Sequence, residues 1–232
     1  MIKSLLRWVG WLLLLLFSLL LLLQAWFLLH ILYWNQYNPS SSAFMQIRWE
    51  IARQNQPHVK FHYQWVDYEK ISPHLKRAII AAEDSQFLNH AGFDFKAMQN
   101  ALEKNWQEGR WVVGGSTISQ QLAKNLFLSD QKTPWRKLQE AVITYMLEKV
   151  MAKRRILEIY LNMIEWGENV FGAEAASQHY FGVKASALTP RQAAFLASMV
   201  PNPRFYDRNR TAKKLLKKTD IILKRMPSSQ IP

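Results

Sequence analysis

The chain has 232 residues, 49% of them hydrophobic and 20% charged, which is enough for one globular domain with a core plus an accessory segment. It contains no cysteine, so a disulfide scaffold, a thiolate zinc site and a cysteine nucleophile are excluded. The formal net charge of +13 calls for anionic partners, nucleic acid being the first to weigh.

In chain order, the first feature is a stretch without charge from Trp8 to Leu29, with Ser18 and Gln24 its only polar side chains. About 20 residues of helix cover roughly 30 Å, the thickness of bilayer hydrocarbon. A signal peptide has a shorter apolar region and a small-residue cleavage site, and neither is found here. The expectation is an uncleaved transmembrane anchor over residues 8–30, preceded by a tail over 1–7. Lys3 and Arg7 precede the span and no Lys or Arg follows until Arg48, so the tail is expected in the cytoplasm and the remainder outside. The part beyond the anchor holds 28 of the 30 Lys and Arg and all 17 Asp and Glu, an excess of 11 positive charges. A domain held there meets little nucleic acid. Anionic lipid head groups and phosphates are the expected partners.

Residues 31–69 read as a connector with a short helix near 40–56. Within it "HVKFHYQWV" alternates Val59, Phe61, Tyr63 and Trp65 against Lys60, His62 and Gln64, the period of a strand. A helix then starts with Ser72 as N-cap and Pro73 at the first helical position. Helical patterns follow near 95–107, 116–127, 134–150, 153–163 and 173–181. Thr189 and Gln192 form a capping box, with Pro190 between them, for a helix that must end before Pro201. Residues 206–232 carry a basic amphipathic helix, "TAKKLLKKTDIILKRM", for which a solvated face is the plainer reading and contact with anionic lipid the other. One strand among many helices predicts a mainly α domain.

Three stretches carry chemistry. On the helix after Pro73, Leu75, Ile79, Glu83 and Phe87 are spaced by four and are expected on one face. A carboxylate is thereby set in an apolar stripe. Burial disfavours the charged form of a carboxylate, a property that suits a general base or acid near neutral pH. A glutamate reaching solvent beside Asp84 is the alternative, and taken alone the commoner one. The second stretch is "GGSTISQQLAKN" (114–125). Gly114 and Gly115 allow close backbone approach, Ser116 is a candidate N-cap, and Thr117, Gln121 and Lys124 form a polar stripe with Gln120 alongside. Such a surface suits an anionic, hydroxyl-rich ligand, although an amphipathic helix with a wet face looks the same. It is not a nucleotide P-loop, because its lysine does not follow the second glycine of that pattern. In the third stretch Thr133 and Pro134 start a helix whose first turn holds Arg136 and Lys137, where the helix dipole favours anions. An anionic ligand would reverse that penalty. Glu140 lies four residues after Arg136, and a weakly stabilising surface pair is the bland reading.

In order and spacing, "EDSQFLNHAG" (83–92), "GGSTISQQLAKN" (114–125), "RKLQEAVITYMLE" (136–148), "KRRILEIYLN" (153–162) and "GENVFGAEAASQHYFG" (167–182) closely resemble the five motifs of the glycosyltransferase family 51 domain, the peptidoglycan polymerase, over about residues 70–205. No penicillin-binding domain follows residue 232, which points to the monofunctional branch of that family. Glu165-Trp166-Gly167 departs from the aromatic pair that bifunctional relatives often carry, and bears on fine substrate preference.

The resemblance implies a lysozyme-like, two-lobed helical fold and a lipid II substrate, polymerised into β-1,4 glycan strands with release of undecaprenyl diphosphate. By motif position, Glu83 is implied as general base and Glu140 as the second acidic residue of the catalytic pair, orienting cations or helping to hold a divalent metal. Asp84, Phe87, His90, Ser116, Thr117, Gln120, Gln121, Lys124, Asn125, Arg136 and Lys137 are implied to form the substrate cleft, with Lys124 and Arg136 neutralising the diphosphate. His90 has no partner cluster that would make it a metal ligand. No cofactor is required by the sequence, with a divalent cation such as Mg²⁺ left open. The implied partners are lipid II and the nascent glycan chain, membrane lipids and other cell-wall synthesis proteins, with no nucleic acid. The implied place is the inner membrane, with the catalytic domain in the periplasm. The aromatic stretch with Phe93, Phe95, Trp106, Trp111, Val112 and Val113 resembles the family's membrane-facing region, with core packing the alternative. A lytic enzyme of similar fold and a non-catalytic scaffold remain as rival functions.

Overall fold

The computed structural model describes residues 2–110, 114–131 and 133–232. The chain divides into two units, residues 1–38 and 39–232. The first is a single helix, α1 (Ile2–Gln36), longer than the expected anchor. The leucines of its two runs, Leu12–Leu16 and Leu19–Leu23, are exposed, and the one hydroxyl among them, Ser18, is spent on the Leu14 carbonyl at 2.8 Å. Most of the helix is apolar and exposed, and it is long and apolar enough to cross a membrane.

The second unit is mainly α. It comprises α2 (Ala43–Asn55), α3 (Pro73–Glu83), α4 (Phe95–Gln107), α5 (Ile118–Phe127), α6 (Pro134–Val150), α7 (Lys153–Met163), α8 (Ala173–Phe181), α9 (Pro190–Met199), α10 (Pro203–Arg208) and α11 (Lys213–Arg225). Three short strands, β1 (His62–Tyr63), β2 (Glu165–Gly167) and β3 (Val170–Phe171), form one sheet in the order β1-β3-β2. β1 runs parallel to β3 and β2 antiparallel to it. The alternation over 58–66 therefore yields only two paired residues. Farther along, the Asn162 side chain does the work of a partner strand: it accepts from the Val66 N–H and donates to the Val66 carbonyl, each at 2.9 Å.

α3 packs against α9 and α11, and α5 against α2, α6 and α7. The core between them is built from the apolar faces of these helices, with Leu75, Ile79, Ile118, Leu122, Ile143, Leu147, Ile156 and Leu196 fully buried. Each such side chain contributes about 1.5–3 kcal/mol by leaving water. The caps explain the helix starts. Ser72 accepts from the His74 N–H, Thr133 from that of Arg136, and Thr189 and Gln192 form the capping box read from the sequence.

Three expectations need correcting. α3 stops at Glu83, so Phe87 is not on its face. Asp84 leaves helical geometry at φ −160°, because its carboxylate is drawn to His90 and the α5 N-terminus, and Phe87 is buried in the turn that follows. The N-cap of α5 is Thr117, not Ser116. The hairpin of β2 and β3 and the helix α10 were not anticipated. They are too short for a periodic signal and are tied together by the Glu165–Arg204 ion pair.

The C-terminal basic helix is packed, not solvated all round. Leu215, Thr219 and Ile222 of α11 are buried, and the Thr219 hydroxyl lies 3.2 Å from that of Ser198 on α9. On α4, Phe95 and Trp106 are 73% and 89% exposed, so they are not core residues. Trp111, Val112 and Val113 lie outside the described residues.

Candidate active site

The second motif is fixed by its first residues. Thr117 caps α5 reciprocally with Gln120, and its own hydroxyl donates to the Gly92 carbonyl at 2.7 Å. Gly115 lies so close to α4 that a Cβ would stand 3.0 Å from the Met98 Cα. Asp84 joins the first motif to the second. Its Oδ2 accepts the Ile118 N–H at 3.1 Å, at the positive end of α5, and its Oδ1 lies 2.9 Å from His90 Nε2. The Gly92 N–H donates to His90 Nδ1 at 3.1 Å, which leaves Nε2 as the protonated nitrogen that donates to Asp84. Gly92 itself has φ +87°, and a Cβ there would meet Thr144 at 2.8 Å.

This scaffold holds Glu83 at the C-terminal end of α3, with its side chain 10% exposed. Gln121 Nε2 donates to Glu83 Oε2 at 2.9 Å, while Gln121 Oε1 accepts the Tyr160 hydroxyl at 2.9 Å. Burial, with the charges of Glu83 and Asp84 adding to it, pushes the Tyr160 phenol well above its usual pKa, so the hydroxyl stays a donor. Lys218 of α11 approaches the other oxygen of Glu83, Nζ to Oε1, at 3.7 Å.

Glu83, Ser116, Gln120, Gln121, Lys124 and Glu140 line one cavity of about 240 Å³, closed by Val200 and Pro201. An adjoining cavity of about 410 Å³ shares Gln121, Lys124, Val200 and Pro201 with it and adds Asn125, Arg136, Arg48 and Arg204 among others. Glu140 is buried and holds Arg136 at 2.5 Å on Oε2 and Lys137 on Oε1. Among the described residues Lys124 has no ion-pair partner at contact. Burial holds its ammonium below the usual lysine pKa, Glu140 opposes that shift, and Arg136 and Lys137 add to it. Arg136 Nε is buried without a hydrogen-bond partner among the described residues. At the far wall, Glu165 lies 2.6 Å from Arg204 and 3.8 Å from Arg48, and burial still holds its carboxyl above the usual range.

The fold thus brings together Glu83, Ser116, Gln120, Gln121, Lys124, Asn125, Arg136 and Glu140, with Lys137 on the outer oxygen of Glu140. Asp84, His90 and Thr117 form the frame behind them. Phe87 lines a different cavity, of about 550 Å³, with Arg225 and the C-terminal serines. Both oxygens of Glu140 are already paired with cations, and the excess of positive charge from Lys124, Arg136 and Lys137 around it suits an anionic ligand. Among the described residues no cluster of three His, Asp or Glu side chains could hold a metal. Chemically, a carboxylate and a desolvated ammonium facing one cavity can take a proton from a hydroxyl and neutralise an anion there.

Sequence reasoning missed Lys218 and Tyr160. For Lys218 a signal existed: it lies between Leu215 and Ile222 at helical spacing, on the face that is buried. Tyr160 lay inside the fourth motif, but an aromatic on the apolar face of a helix reads as core.

Comparison with known proteins follows this geometry. Residues 51–227 match the family model described as Transglycosylase. A biosynthetic peptidoglycan transglycosylase of Nitrosospira multiformis is 62% identical over 226 residues, 97% of this chain and 98% of that protein. Proteins of the same name are 57% identical over 232 residues in Methylobacillus flagellatus, covering all of both chains, and 51% identical over 230 residues in an Azoarcus species, covering 99% of each.

Proposed function

The chain belongs to the transglycosylase family, and on that premise we propose that it is a peptidoglycan glycosyltransferase that polymerises lipid II. Glu83 takes the proton of the 4-hydroxyl of the acceptor N-acetylglucosamine. The freed oxygen forms a bond to C1 of the donor N-acetylmuramic acid, and the bond from C1 to the diphosphate oxygen breaks on the opposite face. An α-linked donor becomes a β-1,4 link, undecaprenyl diphosphate leaves with the electron pair, and Glu83 returns its proton to water. No nucleotide motif is present in the sequence, so the energy travels with the substrate. Lys124 and Arg136, with Lys137, neutralise the charge that builds on the leaving group, and Glu140 holds two of these cations in place. Asp84, His90 and Thr117 act on the cleft through the backbone they pin. Ser116, Gln120, Gln121 and Asn125 face the sugars.

The observation that carries this reading is that Glu83 and Lys124 line one cavity, with Arg136 in the chamber next to it. A lytic enzyme needs the carboxylate but has no diphosphate to neutralise. α1 anchors the enzyme in the inner membrane with its N-terminus in the cytoplasm, so the cleft works in the periplasm, where the lipid tail of the substrate stays in the bilayer. Exposed Phe95 and Trp106 suit contact with lipid. The test is incubation with purified lipid II and, separately, with finished peptidoglycan. Polymer from the first is expected, and cleavage of the second would refute the proposal.

A further inference from the structure

Helix α11 lies after the last of the five motifs, yet it delivers a charge to the reacting end of the cleft. Lys218 Nζ stands 3.7 Å from Glu83 Oε1, and Gln121 occupies Oε2. Among the described residues Lys218 is the one cation within ion-pair distance of Glu83. It does not line the cavity that Glu83, Lys124 and Glu140 share, so a substrate there meets the carboxylate and not the ammonium. The element that carries it is fixed, since Leu215 and Ile222 are buried on either side and α11 packs on both α9 and α3. The Lys218 side chain is 31% exposed and has given up the rest of its hydration, a cost that a charged partner offsets. Glu83 is that partner: burial lowers the proton affinity of Lys218 and Glu83 acts in the opposite sense.

We propose that Lys218 is a positioning residue for the transfer step, its ammonium holding Glu83 Oε1 so that the carboxylate is aimed at the acceptor hydroxyl. This rests on the reading of Glu83 as general base. The charged and titratable groups around that carboxylate come from every element packed on it. α5 contributes Lys124, α6 contributes Glu140, α7 contributes Tyr160 acting through Gln121, and Asp84 is the next residue in the chain. α11 also carries Lys214 near Lys218, and Arg191 of α9 is turned to Asp220 at 3.3 Å. Among the described residues only Lys218 stands within ion-pair distance of the carboxylate, so it fixes Oε1 while Gln121 fixes Oε2.

The experiment uses the full chain in detergent with purified lipid II and reads kcat and KM of each variant. Lys218→Met is expected to cut kcat about 10- to 100-fold with KM within about twofold. Lys218→Arg, which keeps the cation, is expected to restore most of kcat. If the methionine variant does not fold by circular dichroism, Lys218→Gln is read in its place. Wild-type kcat in the uncharged variant, a raised KM with kcat unchanged, or an arginine variant as slow as the methionine one overturns the proposal. Glu83→Gln is assayed alongside. Its inactivity confines any such failure to Lys218, whereas an active Glu83→Gln removes the base itself and this inference with it.

Discussion

Gln121 donates to Glu83 across 2.9 Å and accepts from Tyr160 across the same distance, so one amide links a buried phenol to the carboxylate in the cleft. The phenol, which stays protonated, donates to Oε1 and so helps hold the amide with Nε2 turned to Glu83.

Tyr160→Phe removes that constraint without changing the packed volume. The amide then rotates freely, and a carboxylate that loses a fixed donor is aimed less well. The expected outcome is a fall in kcat of about tenfold with little change in KM, and a stability cost of about 1 kcal/mol. Steady-state kinetics together with thermal denaturation check it, and an unaltered kcat would remove Tyr160 from the account.

Lys124→Ala is expected to lower kcat by about 10²–10³-fold, the usual cost of losing one preorganised charge at a leaving group. The pH behaviour has a definite sign. Burial depresses the proton affinity of Lys124, and the working form is the ammonium. Activity therefore falls on the alkaline side, earlier than an ordinary lysine would allow. Lys124→Arg, which keeps its proton, should carry whatever activity it retains to higher pH. A pH–rate comparison of the two proteins decides the point.

Asp84→Asn is a test of scaffold, not of chemistry. The carboxylate accepts from both Ile118 N–H and His90 Nε2, and an amide can accept on only one side while its NH2 faces a donor. A loss of about 1–3 kcal/mol is expected, seen as a Tm lowered by several degrees. Retained stability with lost activity would instead make Asp84 a participant in the reaction.

Much of this was legible beforehand, for identifiable reasons. The starts of α3, α6 and α9 were marked by a capping hydroxyl followed by proline, and the ends of α4, α6 and α7 coincided with breaks in apolar periodicity. The meeting of Glu83, Lys124 and Glu140 was read from motif order, not from any local pattern. What escaped depended on tertiary pairing. Asp84 ends α3 because of a hydrogen bond to a residue on another helix, and Asn162 replaces a strand that alternation alone suggested. Lys218 escaped because a lysine-rich helix looks solvated. Only the buried Leu215 and Ile222 on either side of it reveal the direction it faces.

The central claim is that the carboxylate of Glu83 removes the acceptor proton. Its most direct test is glycan polymerisation by Glu83→Gln, measured with purified lipid II beside a binding assay for the same substrate. The account predicts that polymer formation is abolished while lipid II is still bound, because the amide keeps the shape of the site and loses only its basicity. Polymer formed at a rate near that of the unaltered protein would contradict it.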